Sequence, residues 1–321
     1  MVIIKNLSVS QSLYNYNGIV QRGLRTLYKE RQLWIISIPI IIWVIIFCYY
    51  PMYGLCIAFT RYIPGQGILS SPWVGFDNFI QFFQSPDFWK IIRNTLAISG
   101  LNILFGFPCP IILALLLSEL AGAGFKKIVQ TISYLPYFIS WVVLASIIFN
   151  LLGNDGIVNQ ALKSIGAVHD SVPFLSSGRN FWWVITGANL WKNVGWNAII
   201  YLSAIAGIDT EMYDAGKVDG LGRFRAIWYI TLPGIRTTIV LLMVLSISGI
   251  LNAGFEQQLL IGNPQTVEYH EVIDTYAYKF GVQLGNYSYA TAVGFFKSTI
   301  GLILIFATNR LSKRILDISI F

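Results

Sequence analysis

Charge is scarce in this chain. Only 12% of its 321 residues are Asp, Glu, Lys or Arg, where a soluble globular protein carries roughly 25%. Histidine occurs twice, as His169 and His270. No paired-carboxylate or nucleophile motif accompanies them, so a membrane enzyme acting on glycans or lipids finds little support. Glu271 and Asp274 are close together but read as solvated residues of an outer loop. Cys48, Cys56 and Cys109 have no metal or disulfide spacing, and are expected as small buried hydrophobes. A phosphate-cradling Gly-x-x-x-x-Gly-Lys-Ser/Thr loop is also missing: Gly216-Lys217 lacks the upstream glycine and the following hydroxyl residue. No internal repeat of the kind found in many secondary transporters is visible.

What the chain has instead is apolar sequence. Hydrophobic residues make up 55%, and the charges cluster, leaving long apolar runs. A hydrocarbon core about 30 Å thick takes roughly 20 helical residues to cross, and six segments qualify: 33–55, 92–118, 128–151, 181–206, 236–256 and 288–309. Backbone groups in lipid must pair within the segment, so all six are expected to be helical. The first is too long for a signal peptide's apolar region and reads as a retained anchor. With both termini in the cytoplasm, inner segments hold fourteen Lys and Arg and outer segments six, as the positive-inside rule requires. Lys192 and Lys297 lie inside spans. The net charge of +7 is thereby a topology signal and gives no reason to expect nucleic acid.

The reading divides the chain into a cytoplasmic segment 1–32, a first span with its outer loop 33–91, and a core 92–321. Within the core, residues 209–222 form a hydrophilic island between spans four and five. Asp209 or Thr210 can cap a helix by accepting backbone N–H groups. Glu211 and Asp214 lie toward its positive dipole end, and Gly220 is suited to stop it. Met212, Ala215 and Gly216 share a small face that could enter a cleft on a partner, although a capped surface helix with no partner would look the same.

The spacing adds more. Tyr213-Asp214-Ala215-Gly216, then Asp219-Gly220, then Ile230-x-Leu232-Pro233 resembles the cytoplasmic signature of ABC importer permeases, which runs Glu-Ala-Ala, three residues, Gly, nine residues, Ile-x-Leu-Pro. Asp214 stands for the usual Glu and Gly216 for the second Ala, which somewhat reduces helix stability. Pro51-Met-Tyr-Gly54, Ala58-Phe59, Ser71-Pro-Trp-Val-Gly-Phe76 and Asn94-Thr95-Leu96 extend the resemblance to oligosaccharide permeases of the lipoprotein-associated sugar type, and within these to an alginate-oligosaccharide importer permease. The likeness covers the chain from about residue 33. It implies an all-α type I importer permease fold in a bacterial cytoplasmic (inner) membrane. It also implies a second homologous permease, two copies of a cytoplasmic ATPase carrying the ATP and Mg, and an extracytoplasmic solute-binding protein. By the same carry-over, Tyr213, Asp214, Ala215, Gly216, Asp219, Gly220, Leu232 and Pro233 couple to that ATPase, and this chain itself holds no cofactor.

Within span four, Asn189, Asn193 and Asn197 recur every four residues and share a helix face, with Lys192 and Trp196 adjoining it. Amides and an indole suit sugar hydroxyls and ring faces; equally, such amides can bond neighbouring helices. A lysine inside a span costs about 2.5–3.5 kcal/mol on insertion scales. Lys192 or Lys297 could pair with Glu256, or attract the carboxylates of an acidic oligosaccharide. The competing reading is a stand-alone secondary transporter or channel that uses these lysines, which leaves the island without a purpose.

Overall fold

The computed structural model describes residues 31–68 and 70–316; the expected cytoplasmic segment at the N-terminus lies almost wholly outside them. Among the described residues the chain is helical, with one isolated bridge between Thr60 and Trp73. It divides into two units at Cys56.

In the first unit, helix α1 (Arg31–Val44) contains Pro39, passes through a π-turn at Ile45–Tyr49 and tightens into a 3-10 segment from Tyr50. Pro39 and Pro51 lack an N–H, so the regular ladder cannot run unbroken past them. Its side chains face outward nearly throughout, Trp43 and Phe47 among them. Cys48 and Cys56 are exposed and Cys109 is half-buried, so the expectation of buried cysteines fails. A helix bathed in lipid can be apolar all round, and an apolar run then carries no information about burial.

The second unit is built on α2 (Asp77–Gln84), α3 (Phe88–Gly106), α4 (Pro108–Glu119), α5 (Ala123–Tyr134), α6 (Trp141–Leu152), α7 (Ile157–Ser164) and α8 (Gly178–Ala206). These are followed by α9 (Thr210–Val218), α10 (Arg223–Ala226), α11 (Leu232–Gly234), α12 (Arg236–Ser248), α13 (Glu256–Ile261), α14 (Val267–His270), α15 (Ile273–Tyr278) and α16 (Tyr287–Leu316). The 29-residue α8 packs against α3, α4 and α5, and α16 packs against α2, α12 and α15.

Among the described residues, four helical stretches are long and apolar enough to cross a membrane: Arg31–Phe59, Phe88–Glu119, Trp141–Ser164 and Tyr287–Arg314. A fifth is bent by 63° between Arg223–Gly234 and Arg236–Ser248. The expected fourth span is α8. At about 1.5 Å per residue it is roughly 43 Å long, more than a bilayer requires, but its asparagines and lysine keep it below the apolarity of the others.

Two expected spans are corrected. Segment 128–151 is not one helix, because Pro136 lies in a 3-10 turn (Leu135–Phe138) and Ile139 is extended. The Ser140 hydroxyl then caps α6 by accepting the Val143 N–H at 3.3 Å. Segment 236–256 stops helically at Ser248 and continues as an irregular turn to α13.

Candidate functional site

The island folds as a capped helix with a glycine stop. The Asp209 carboxylate accepts the Glu211 N–H at 3.0 Å. At the other end the Leu221 N–H reaches the Gly216 carbonyl at 2.8 Å and the Gly220 N–H reaches Lys217 at 3.1 Å, the paired bonds of a Schellman ending. Gly220 has φ of +76°, where a side chain would be strained. A lone exposed pair, Lys217 to Asp214 at 2.8 Å, adds little stability.

Gly216 does not belong to the outward face with Met212 and Ala215. It is buried, and a Cβ there would stand 2.9 Å from Ile230 and 3.0 Å from Leu221. The Tyr213 hydroxyl meets Thr231 Oγ1 at 3.0 Å. Gly216 and Tyr213 therefore bind the island to the helix it precedes, while Met212, Asp214, Ala215 and Val218 stay exposed. That helix carries a π-turn at Ile227–Thr231 just before Leu232-Pro233. Pro233 cannot donate to the ladder, and a π-bulge with a kink beside it is the usual consequence. Ile230 thus packs against α9 at Gly216, just ahead of Leu232 and Pro233.

The amide face of α8 opens into a cavity of about 310 Å³. Asn189, Asn193 and Asn197 line it together with Ser99 and Asn102 of α3, Thr186, Ser246, Asn252 and Gln257. Among the described residues no charged side chain lines it. Asn189 accepts from the Gln257 amide at 3.2 Å and lies 3.5 Å from Asn102 Oδ1, so three elements meet through one amide chain. Gly254 makes this possible: with φ of +88°, a Cβ there would fall 1.9 Å from the Gln257 side chain. Ser99 is buried, and its hydroxyl finds no partner among the described residues. Asn102, Gln257 and Ser99 were not singled out in the sequence. Asn102 could have been, as an amide inside an apolar run; Gln257 and Ser99 carry no local signal.

The two intramembrane lysines are elsewhere. Lys192 is buried and donates to the Tyr137 carbonyl at 2.8 Å and to the Ile139 carbonyl. Its ammonium also lies 5.6 Å from the Tyr137 ring and 5.9 Å from Trp141, within cation–π range. Trp196 stacks flat on Tyr137 with centroids 4.3 Å apart. The break between α5 and α6 frees the carbonyls that Lys192 takes up. Close by, a Cβ on Gly195 would stand 1.9 Å from the Ser133 carbonyl, so α8 and α5 meet backbone to backbone.

Lys297 pairs with Asp274, not Glu256, at 2.6 and 2.8 Å. Asp274 is therefore not a solvated loop residue. Neither is Glu271, which is buried and pairs with Lys90 at 2.9 Å and Lys279 at 3.2 Å. These pairs, with Asn94 donating to the Glu268 and Glu271 carbonyls at 3.0 Å each, clamp the segment 257–286 onto α3 and α16. His270 is held there beside Thr266 and the Phe181 ring. Burial pushes its imidazole below the ordinary histidine value.

Comparison with known proteins identifies the family. Residues 106–317 match the binding-protein-dependent transport system inner membrane component family. Protein LplB of Bacillus subtilis is 44% identical over 91% of this chain and 91% of its own length. YteP, a polygalacturonan/rhamnogalacturonan transport system permease protein of the same organism, is 43% identical over 92% and 91%. A crystal structure of a bacterial ABC transporter involved in import of the acidic polysaccharide alginate superposes with a TM-score of 0.85 at 41% identity, covering 92% of this chain and 99% of that one. The chain belongs to the family of inner membrane components of binding-protein-dependent transport systems.

Proposed function

We propose that this chain is one half of the translocation pathway of an ATP-driven oligosaccharide importer. In this reading Asn189, Asn193 and Asn197 present amides to sugar hydroxyls, and α9 transmits the motion of a cytoplasmic ATPase. The observation that carries it is the cavity on the amide face of α8, which offers paired donors and acceptors and no fixed charge. Amides match hydroxyls in both hydrogen-bonding senses. The relatives named for polygalacturonan, rhamnogalacturonan and alginate transport support a uronate-containing oligosaccharide.

Lys192 and Lys297 are better read as fasteners than as carboxylate receptors, since each is occupied by the chain itself. ATP and Mg belong to a separate ATPase, present twice, bound through Asp214, Ala215, Asp219 and Gly220, with Tyr213 and Gly216 holding α9 in place for it. A second permease completes the pathway, and a binding protein delivers the sugar; a structural neighbour is described in complex with an alginate pentasaccharide-bound periplasmic protein. Both termini face the cytoplasm in this arrangement, by the charge asymmetry of the loops.

The test is ATP hydrolysis by the reconstituted complex, stimulated by binding protein loaded with neutral or acidic oligosaccharides. Stimulation by oligosaccharides, strongest with uronates, is expected. No stimulation by any sugar would overturn the substrate class.

A further inference from the structure

A second groove lies apart from the amide cavity, with a volume of about 610 Å³. Its walls are Leu96, Ala97, Gly100 and Leu101 of α3, Trp182 and Trp183 of α8, and Tyr269. Leu96 and Trp183 are exposed, and nothing lies within 4 Å of a Cβ built on Gly100, so the groove is open along its length.

At one end its chemistry changes. The Arg93 guanidinium lies 6.0 Å from the Trp182 ring and 5.4 Å from Tyr269, and it pairs with the Glu268 carboxylate at 3.2 Å. Both charged side chains stay about half exposed, at 47% and 60%; Arg93 Nε and Nη2 also donate to Asn94 Oδ1 at 3.2 Å and Nη2 to the Glu268 carbonyl at 2.7 Å, which leaves Nη1 to a further partner. The groove thus runs from a paired cation and anion, through a Trp–Tyr collar, into apolar wall. From Arg93 to Leu101 it extends about 12 Å along α3, most of the roughly 15 Å depth of one leaflet's hydrocarbon. Aromatic residues favour that headgroup boundary.

We propose that the groove holds one phospholipid whose headgroup carries both a phosphate and a primary ammonium, as in phosphatidylethanolamine. The phosphate bonds Arg93, the ammonium bonds Glu268, and an acyl chain lies over Ala97 and Gly100. A purely anionic headgroup would satisfy Arg93 but meet Glu268 unfavourably, so the pair itself selects a zwitterion with N–H donors. Such charge-assisted bonds are the strong ones.

Retention of lipid by the whole importer complex tests this. The complex is extracted from nanodiscs of equal phosphatidylethanolamine and phosphatidylglycerol, and bound lipid is counted by native mass spectrometry. The wild type should retain phosphatidylethanolamine preferentially. Arg93→Gln should lower that retention about tenfold, the equivalent of one charge-assisted bond. Glu268→Gln, at an exposed position, should leave assembly intact and shift the preference toward phosphatidylglycerol. Gly100→Trp, projecting into open space, should expel the lipid with the complex still whole. Equal retention of both lipids by the wild type, or unchanged retention in the variants, would overturn the proposal. Loss of the second permease from the Gly100→Trp complex would also overturn it, by showing that a protein helix covers the groove.

Discussion

Lys192 and Lys297 show how a single residue's cost identifies its partner. Each carries a charge into an apolar span, and each is compensated within the chain: Lys192 by two carbonyls, Lys297 by Asp274. Lys192→Met should strip donors from the Tyr137 and Ile139 carbonyls, costing about 1–3 kcal/mol for each group left unsatisfied. Assembly and uptake should then fall together, as read by co-purification yield beside transport. Selective loss of acidic-sugar uptake would return Lys192 to the pathway. For the second lysine, Asp274→Leu alone should destabilise more than Asp274→Leu combined with Lys297→Met, because the single change leaves a charge unpaired. Thermal unfolding of both complexes measures the difference. Gly254→Ala should displace the Gln257 amide, lower uptake, and spare assembly.

At the scale of elements, the legible parts were those with local rules. The cap at Asp209 and the stop at Gly220 follow from a side-chain acceptor and a positive φ, so local residues place α9. The spans were legible only as apolar length. Breaks at Pro136 and after Ser248 were lost in a continuous apolar run, and α8 proved more polar than its neighbours because its asparagines line a cavity. The least legible element was the segment 257–286. Glu271 and Asp274 look solvated in sequence, since their partners Lys90 and Lys297 lie on other helices and nothing in the local sequence marks the pairing.

That segment also carries a pH dependence. His270 ordinarily titrates near 6.5, and burial lowers its folded value, with Lys90 and Lys279 pushing the same way and Glu271 opposing. A group depressed on folding binds its proton more readily when the segment is released. The clamp is therefore at full strength above about pH 6.5 and weakens as pH falls below it. Hydrogen exchange over 263–271, corrected for intrinsic rates, should show protection decreasing from pH 7.5 to 5.5. His270→Gln should flatten that dependence; an unchanged slope would assign it to another group.

For the whole molecule, two jobs fall on separate elements. In the proposed function the α8 face with its cavity meets the sugar, and α9, held by Gly216 against Ile230 and by Tyr213 against Thr231, meets the motor. Between them lies the bent helix of Arg223–Ser248. If motion passes through that joint, its stop must be stiff. The most direct measurement is the number of oligosaccharides imported per ATP hydrolysed, in proteoliposomes containing wild-type or Gly220→Val complexes. A β-branched residue at φ of +76° strains the ending, by about 1–2 kcal/mol, without touching the cavity. The expected result is an assembled complex that still hydrolyses ATP while importing several-fold less sugar per ATP. An unchanged ratio, with uptake normal, would contradict it.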